Sequence, residues 1–182
     1  RGLVLLCGVT GSGKSSTIAA ILNQISQTRR CHIVTLEDPI EYLIPDDKAS
    51  VSQREIGVDV PDFDRGLRAL VREDPDVVLI GELRDRDTLR GAMQAAETGH
   101  LVLGTVHASS VTGVFSRIYS LFPKEERDHV RHMLSMQLQA IMYQKLLPTM
   151  SGDPPRVPAV ELMINTPPVH KAIREATEHD IP

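Results

Sequence analysis

The sequence predicts an α/β fold: a doubly wound, mostly parallel sheet with helices between its strands and a helical C-terminal part. Three observations predict it. Short apolar runs at Leu3-Val4-Leu5-Leu6-Cys7, His32-Ile33-Val34-Thr35-Leu36, Val77-Val78-Leu79-Ile80 and Leu101-Val102-Leu103 alternate with segments whose apolar residues recur at helical spacing. Most of these runs lack the in–out alternation of a half-exposed sheet, as strands covered on both faces do. Between the first run and the first helical segment lies the glycine-rich stretch Gly8-Val9-Thr10-Gly11-Ser12-Gly13-Lys14-Ser15. The 182 residues suffice for one well-buried α/β domain, with a core expected over about 1–108 and a helical part over about 109–182.

Each element follows from its own pattern. Ile18, Ile21, Leu22 and Ile25 place one apolar face on a helix behind the glycine-rich stretch. The second strand runs into Glu37-Asp38-Pro39-Ile40-Glu41, and Pro45-Asp46-Asp47 marks a turn. Residues 51–56 read as a short strand. Phe63, Leu67, Leu70 and Val71 give a helix that stops before Asp74-Pro75, because the residue preceding proline disfavours helical geometry. The third strand ends at Gly81-Glu82. A helix over 87–97 closes at Gly99, and the fourth strand is flanked by His100 and His107. Ser109 or Ser110 starts the next helix. Pro123 starts a long one reaching about Gln144, with Val130, Leu134, Leu138 and Ile141 inward and Met133, Met136 and Met142 as core filling. Ser151-Gly152-Asp153-Pro154-Pro155 is a loop, Val157 to Ile164 a strand, and Pro168 to about Glu175 a last helix. The strand order is not legible in this pattern.

Composition narrows the function. Net charge is −4, with no dense Lys/Arg run, which argues against a nucleic-acid footprint. Aromatics are only 3% and Trp is absent, so no platform for stacking bases is expected. No apolar run is long enough to cross a bilayer, so direct membrane insertion is not expected. Cys7 and Cys31 form neither a disulfide framework nor a zinc set, and a reducing compartment fits them. His129 and His132 can share a helix face, but with no third ligand they read as a solvated face.

The chemistry lies in the glycine-rich stretch and the acids. Residues 8–15 satisfy the phosphate-loop pattern G-x-x-x-x-G-K-[ST] in its strand–loop–helix setting. Glycines let the backbone wrap a phosphate, and the N–H groups and dipole of the following helix favour the anion. Lys14 then reaches the β- and γ-phosphates of ATP, and the Ser15 hydroxyl ligates Mg²⁺. The nucleotide-binding set is Gly8, Thr10, Gly11, Ser12, Gly13, Lys14, Ser15 and Ser16. An apolar strand ending in an acid, here Glu82, is the arrangement that puts a carboxylate in the Mg²⁺ shell. Glu37, Asp38 and Glu41 stand at or just past another strand's C-terminal end, the edge at which open parallel sheets bind ligands.

Four ordered motifs carry a resemblance. Gly-Val-Thr-Gly-Ser-Gly-Lys-Ser at 8–15, Leu-Glu-Asp-Pro-Ile-Glu-Tyr at 36–42, Ile-Gly-Glu-Leu-Arg-Asp at 80–85, and Ala-Glu-Thr-Gly-His with Gly-Thr-Val-His at 96–107 resemble the Walker A, Asp box, Walker B and His box of the secretion ATPase superfamily. These are the hexameric motors of type II secretion and type IV pili. Where assembly and secretion members carry a four-cysteine zinc module, this sequence has Leu146-Leu147-Pro148-Thr149-Met150-Ser151-Gly152-Asp153. That looks like the retraction branch, the PilT- and PilU-like proteins; Ala172-Ile173-Arg174-Glu175 matches part of that branch's C-terminal motif.

The resemblance implies a RecA-like C-terminal ATPase domain without the family's PAS-like N-terminal domain. It implies Mg²⁺-dependent ATP hydrolysis driving pilus retraction, the alternatives being an assembly or secretion motor, or an ATP-binding switch subunit. It also implies a homo-hexamer in the full-length protein, an inner-membrane platform partner and a cytoplasmic, membrane-peripheral location. On these positions Glu41 is the expected base, with Glu82 in the Mg²⁺ shell through water; the opposite assignment of the two acids stays open. His107 is the expected γ-phosphate sensor, with His100, Glu37 and Asp38 as further sensor or support residues. Arg84 and Arg90 are either interface cations or surface ion pairs.

Overall fold

A computed structural model of the chain describes residues 1–70, 72–150 and 152–181. Val71 of the expected helix face and Ser151 of the expected loop lie outside the described residues. Seven strands and six α-helices are present among them, so the α/β expectation holds. The chain divides into two compact units: Arg1–Leu3 with Ser15–Thr105, and Val4–Lys14 with Val106–Pro182.

The first unit is built on four parallel strands in the order β3-β2-β4-β5: β2 (His32–Glu37), β3 (Ser50–Glu55), β4 (Val77–Ile80) and β5 (Leu101–Val106, of which all but the last residue lies here). All four residues of β4 are buried, and Ile33, Val34 and Leu36 of β2 are fully so, as expected of strands covered on both faces. The register Leu36↔Ile80 ends β2 and β4 at one level. Helix α1 (Lys14–Thr28) buries Ile18, Leu22 and Ile25. Helix α2 (Phe63–Leu70) buries Phe63, Leu67 and Leu70. Helix α3 (Arg86–Glu97) starts on a capping box: Asp85 accepts from the Thr88 N–H at 2.9 Å. α2 and α3 approach closely, since a Cβ added at Gly91 would sit 2.5 Å from Leu67 Cδ1.

The second unit contains most of β1 (Gly2–Cys7), with β6 (Leu138–Pro148) and β7 (Arg156–Ile164), in the order β1-β6-β7. β6 and β7 pair antiparallel over nine residue pairs, from Ala140↔Ile164 to Pro148↔Arg156. Helices α4 (Val111–Ser120), α5 (Lys124–Gln137) and α6 (Pro167–Arg174) complete it, with a 3₁₀ turn at Glu178–Asp180. Ser110, one of the two expected starts, caps α4 by accepting from the Gly113 N–H at 3.0 Å.

Two expectations are corrected here. The helix expected to reach about Gln144 ends at Gln137, and residues 138–148 form β6. The part after residue 108 therefore holds three helices and a long hairpin. Val130, Leu134, Leu138 and Ile141 are all buried as expected, but the last two belong to a strand. Nine paired residues outweigh a helical spacing that local sequence alone would continue. Met136 is 62% exposed and fills no core. His129 and His132 are exposed, as a solvated face requires.

Candidate active site

The phosphate loop belongs to the second unit, up to Lys14. Its glycines hold backbone angles that disfavour side chains, and two of them, Gly8 and Gly13, leave no room for a Cβ. Gly8 has φ +152°, Gly11 +74° and Gly13 +87°, all in the half of backbone space that disfavours L side chains. At Gly8 a Cβ would lie 2.4 Å from the Gln144 carbonyl oxygen and 2.6 Å from Ser12 Oγ; at Gly13 it would lie 2.7 Å from Gln144 Nε2. Gln144, 5% exposed on β6, donates from Nε2 to the Ser12 carbonyl at 2.8 Å and so pins the loop from behind. The Ser12 N–H donates to Val9 O at 3.2 Å, closing the turn.

Lys14 folds back over this loop. Its Nζ donates to the carbonyls of Gly8 at 2.9 Å and Val9 at 3.1 Å. The ammonium is thereby held at the mouth of the loop, while Val9, Thr10 and Gly11 are exposed. The buried Ser12 hydroxyl makes no hydrogen bond among the described residues. Lys14 also acts on the strand before the loop. Burial pushes the Cys7 thiol up to about 12, Glu161 adds to the rise, and the Lys14 charge opposes it. His107, just past the end of β5, is exposed.

The acids belong to the first unit. Gly81 follows β4 and lies so close to the end of β2 that a Cβ there would sit 3.2 Å from Leu36 O and 3.3 Å from Glu37 Cα. The Gly81 N–H donates to Leu36 O at 2.8 Å, and Thr105 Oγ1 donates to Gly81 O at 2.5 Å. Glu37 and Glu82 thus leave neighbouring strands at the same sheet edge. Both are half-buried, whereas Asp38 and Glu41 are exposed. Thr35 Oγ1 donates to Glu37 Oε1 at 2.6 Å, and Arg84 approaches Asp38 at 3.7 Å while its guanidinium lies 5.5 Å from the Phe63 ring centre. Ser15 is half-buried and Ser16 exposed; Ser16 Oγ is 2.8 Å from the Tyr42 hydroxyl.

His100 stands apart from these acids. It precedes β5, whose six residues run parallel to β4, so about 20 Å of strand separates it from the edge that carries Glu37 and Glu82. Its ring Nδ1 is 2.8 Å from Ala95 O and 3.1 Å from Thr98 Oγ1, hydrogen bonds that fasten the end of α3. Two residues that hold these segments had no signal in the sequence, Gln144 and Gln53, each known only by contacts made across the fold.

The residues present fit a nucleotide. The loop has glycines where a Cβ would collide, a lysine over its carbonyls, a buried hydroxyl without a partner among the described residues, and a helix N-terminus behind it. Among the described residues no group of three or more His, Cys, Asp or Glu could hold a metal ion. A hard cation here would therefore rely on phosphate oxygens, water and the Ser15 hydroxyl, the usual habit of Mg²⁺.

Comparison with known proteins agrees with this chemistry. The family model described as "Type II/IV secretion system protein" matches residues 1–175. A type IV pilus retraction ATPase, PilT of Pseudomonas aeruginosa, is 49% identical over 175 residues, 96% of this chain and 50% of that protein. The uncharacterized protein YggR of Escherichia coli K12 is 48% identical over 182 residues, all of this chain and 55% of that protein. A crystal structure of the pilus retraction motor PilT with bound ADP superposes with TM-score 0.93 at 47% identity, covering 98% of this chain and 51% of that one. The chain spans about half the length of the curated relatives it matches. No described helix is long and apolar enough to cross a membrane. With one fold, one ordered set of motifs and a match over residues 1–175, this chain belongs to the type II/IV secretion system protein family.

Proposed function

We propose that this chain is the ATP-hydrolysing motor domain of a type IV pilus retraction machine, acting in a homo-hexamer on an inner-membrane platform protein from the cytoplasmic side. The observation that carries the nucleotide chemistry is the phosphate loop: Lys14 over the Gly8 and Val9 carbonyls, with Gly8 and Gly13 where a Cβ would collide. The likeness to a retraction ATPase at 49% identity supports the direction of the motor. So does the sequence between β6 and β7, which has no cysteine.

Bound Mg·ATP supplies the metal's Lewis acidity and the reacting γ-phosphate. Residues of this chain do the rest. Gly8, Thr10, Gly11, Ser12 and Gly13 cradle the phosphates, Lys14 leaves the loop carbonyls to neutralise them, and Ser15 and Ser16 begin the helix whose N–H groups favour the anion. Ser15 would ligate Mg²⁺, and Glu82 would join its shell through water. Glu41 orients and deprotonates the attacking water. A carboxylate beside a dication is held ionised and accepts a proton poorly, which favours Glu41 over Glu82 for this task. Glu37 and Asp38 support the loop that carries Glu41, and His107 senses the γ-phosphate. His100 is left to fastening α3.

Lys14→Ala and Glu41→Gln test the reading separately. Lys14→Ala should abolish ATP binding and hydrolysis, and cells carrying it should be non-motile and hyperpiliated. Cells without surface pili would instead identify an assembly motor. Glu41→Gln should keep ATP affinity while losing turnover by about 10²-fold or more, the scale of positioned general-base catalysis. Undiminished turnover would remove Glu41 from the base role.

A further inference from the structure

Glu41 is exposed, so packing does not fix it. A base in line with a reacting water must nonetheless be held. The segment that carries it, from Glu37 to Ile44, is tied down by one side chain more than any other. Gln53 lies on β3, opposite Thr35 in the register with β2. Its Nε2 donates to Glu37 Oε1 at 3.0 Å and to the Tyr42 carbonyl at 2.9 Å, and its Oε1 accepts from the Ile44 N–H at 2.8 Å. The partners themselves set the amide's orientation, because the Ile44 N–H only donates and the Tyr42 carbonyl only accepts. One amide therefore grips the chain on both sides of Glu41: four residues before it, and one and three residues after it.

Two further contacts show that this segment is built to be held. The Ile40 N–H donates to Glu55 Oε2 at 3.0 Å, from the same strand. The Tyr42 hydroxyl meets Ser16 Oγ at 2.8 Å, in the first turn of α1 beside Ser15. Glu37 is fixed in turn by Thr35 Oγ1 at 2.6 Å. We infer that Gln53 is a positioning residue for ATP hydrolysis, setting the place of Glu41 without touching nucleotide; the inference rests on Glu41 being the base. The residue type is demanded by the partners. Glutamate would keep the acceptor for Ile44 but set a carboxylate against Glu37. Methionine would keep the length and lose every hydrogen bond.

The test is the kinetics of Gln53→Met and Gln53→Glu in the full-length protein, alone and combined with Glu41→Gln. A misplacement near 1 Å can cost about 10²-fold, so each single variant should lower kcat by about 10- to 100-fold. The KM for ATP and nucleotide affinity should move by less than about 3-fold, the mark of an interaction felt in the transition state rather than in binding. In single-turnover measurements on the Glu41→Gln background, Gln53→Met should add less than about 2-fold, because its effect passes through a base no longer there. Retained ADP affinity certifies folding, and Gln53→Glu serves if the methionine variant does not fold. Wild-type kcat in both Gln53 variants, with Glu41→Gln inactive, overturns this inference alone. The same factor lost with and without Glu41 also overturns it. Undiminished kcat in Glu41→Gln overturns the base assignment and this inference with it.

Discussion

Replacing Gly8 by alanine asks whether the phosphate loop is shaped by steric exclusion or merely by flexibility. Two costs arise. The residue must keep φ at +152°, a region that costs a non-glycine residue about 1–3 kcal/mol. Its Cβ must also clear the Gln144 carbonyl, which a built Cβ would approach to 2.4 Å. That carbonyl cannot retreat cheaply, because Gln144 is paired with Val160 inside the β6–β7 ladder. Overpacking of this kind costs about 1–3 kcal/mol. The two together come to about 4 kcal/mol, or about 8–16 °C of Tm at about 2–4 °C per kcal/mol for a chain of this size. Gly11→Ala is the control. Gly11 also has positive φ, at +74°, but a Cβ there meets nothing within 4 Å. It should lose only the backbone share, about 1–2 kcal/mol and about 2–8 °C. Thermal unfolding followed by circular dichroism, without nucleotide, separates them. Equal losses in the two variants would refute the steric argument.

Other expectations need less argument. Asp85→Ala removes the capping box of α3 and should cost about 1 kcal/mol, about 2–4 °C of Tm, read by the same melts. Cys7, fully buried with its thiol pushed up to about 12, should resist a thiol reagent at pH 8 until the protein unfolds, whereas half-exposed Cys31 should be labelled first. The same shift has a sign in stability. The folded state holds the Cys7 proton more tightly than the unfolded chain, so its contribution is complete below pH 9 and is lost as pH rises towards 12. Cys7→Ala should flatten denaturant midpoints across that window, and an unchanged slope would contradict the burial.

The parts of the fold legible in the sequence are those whose cause is local. β4 is a pure apolar run, β5 nearly so, and the phosphate loop a fixed spacing, so each is set by residues within one short window. β6 is different. Leu138, Ile141 and Met142 continue the helical spacing of Val130 and Leu134, and nothing between them breaks a helix. What makes Ile141 and Met142 a strand is β7, where their partners Met163 and Leu162 lie 22 and 20 residues onward, too distant to register in a window. The site divides in the same way. Of the proposed site residues, Lys14, Ser15 and Glu82 stand at motif spacing and Glu41 is singled out by the resemblance. Gln53 and Gln144 are ordinary amides until the fold gives them partners, Gln144 reaching back 132 positions to Ser12. His100 shows the converse. Its motif position invites a chemical role, while the parallel direction of β5 carries it to the opposite edge from the acids.

Long-range ties of this kind also close the C-terminus, and they make a prediction that local sequence could not. Glu178 is only 7% exposed, in the last 3₁₀ turn. It accepts from the Tyr119 hydroxyl of α4 at 2.5 Å and from Arg131 Nε of α5 at 3.4 Å, and the Arg131 guanidinium stacks 4.8 Å from the Tyr119 ring centre. The chain separations are 59 and 47 residues. Removing the carboxylate with Glu178→Ala leaves Arg131 its exposed partner Asp128 at 2.7 Å but strips the Tyr119 hydroxyl of its acceptor, and should cost about 1–3 kcal/mol. Tyr119→Phe loses one hydrogen bond to a charged acceptor that keeps Arg131, so about 1.5–3 kcal/mol is the upper range. Burial first, then the hydrogen bond to Glu178, raises the Tyr119 phenol well above its ordinary value. The raised phenol stabilises fully below about pH 10, and the stabilisation fades as pH climbs beyond it. Tyr119→Phe should therefore be less stable than wild type at pH 7 yet lose less on going to pH 11. Urea midpoints at the two pH values measure both. A Tyr119→Phe protein that declines as steeply as wild type would mean that the Tyr119 phenol is not raised in the folded state.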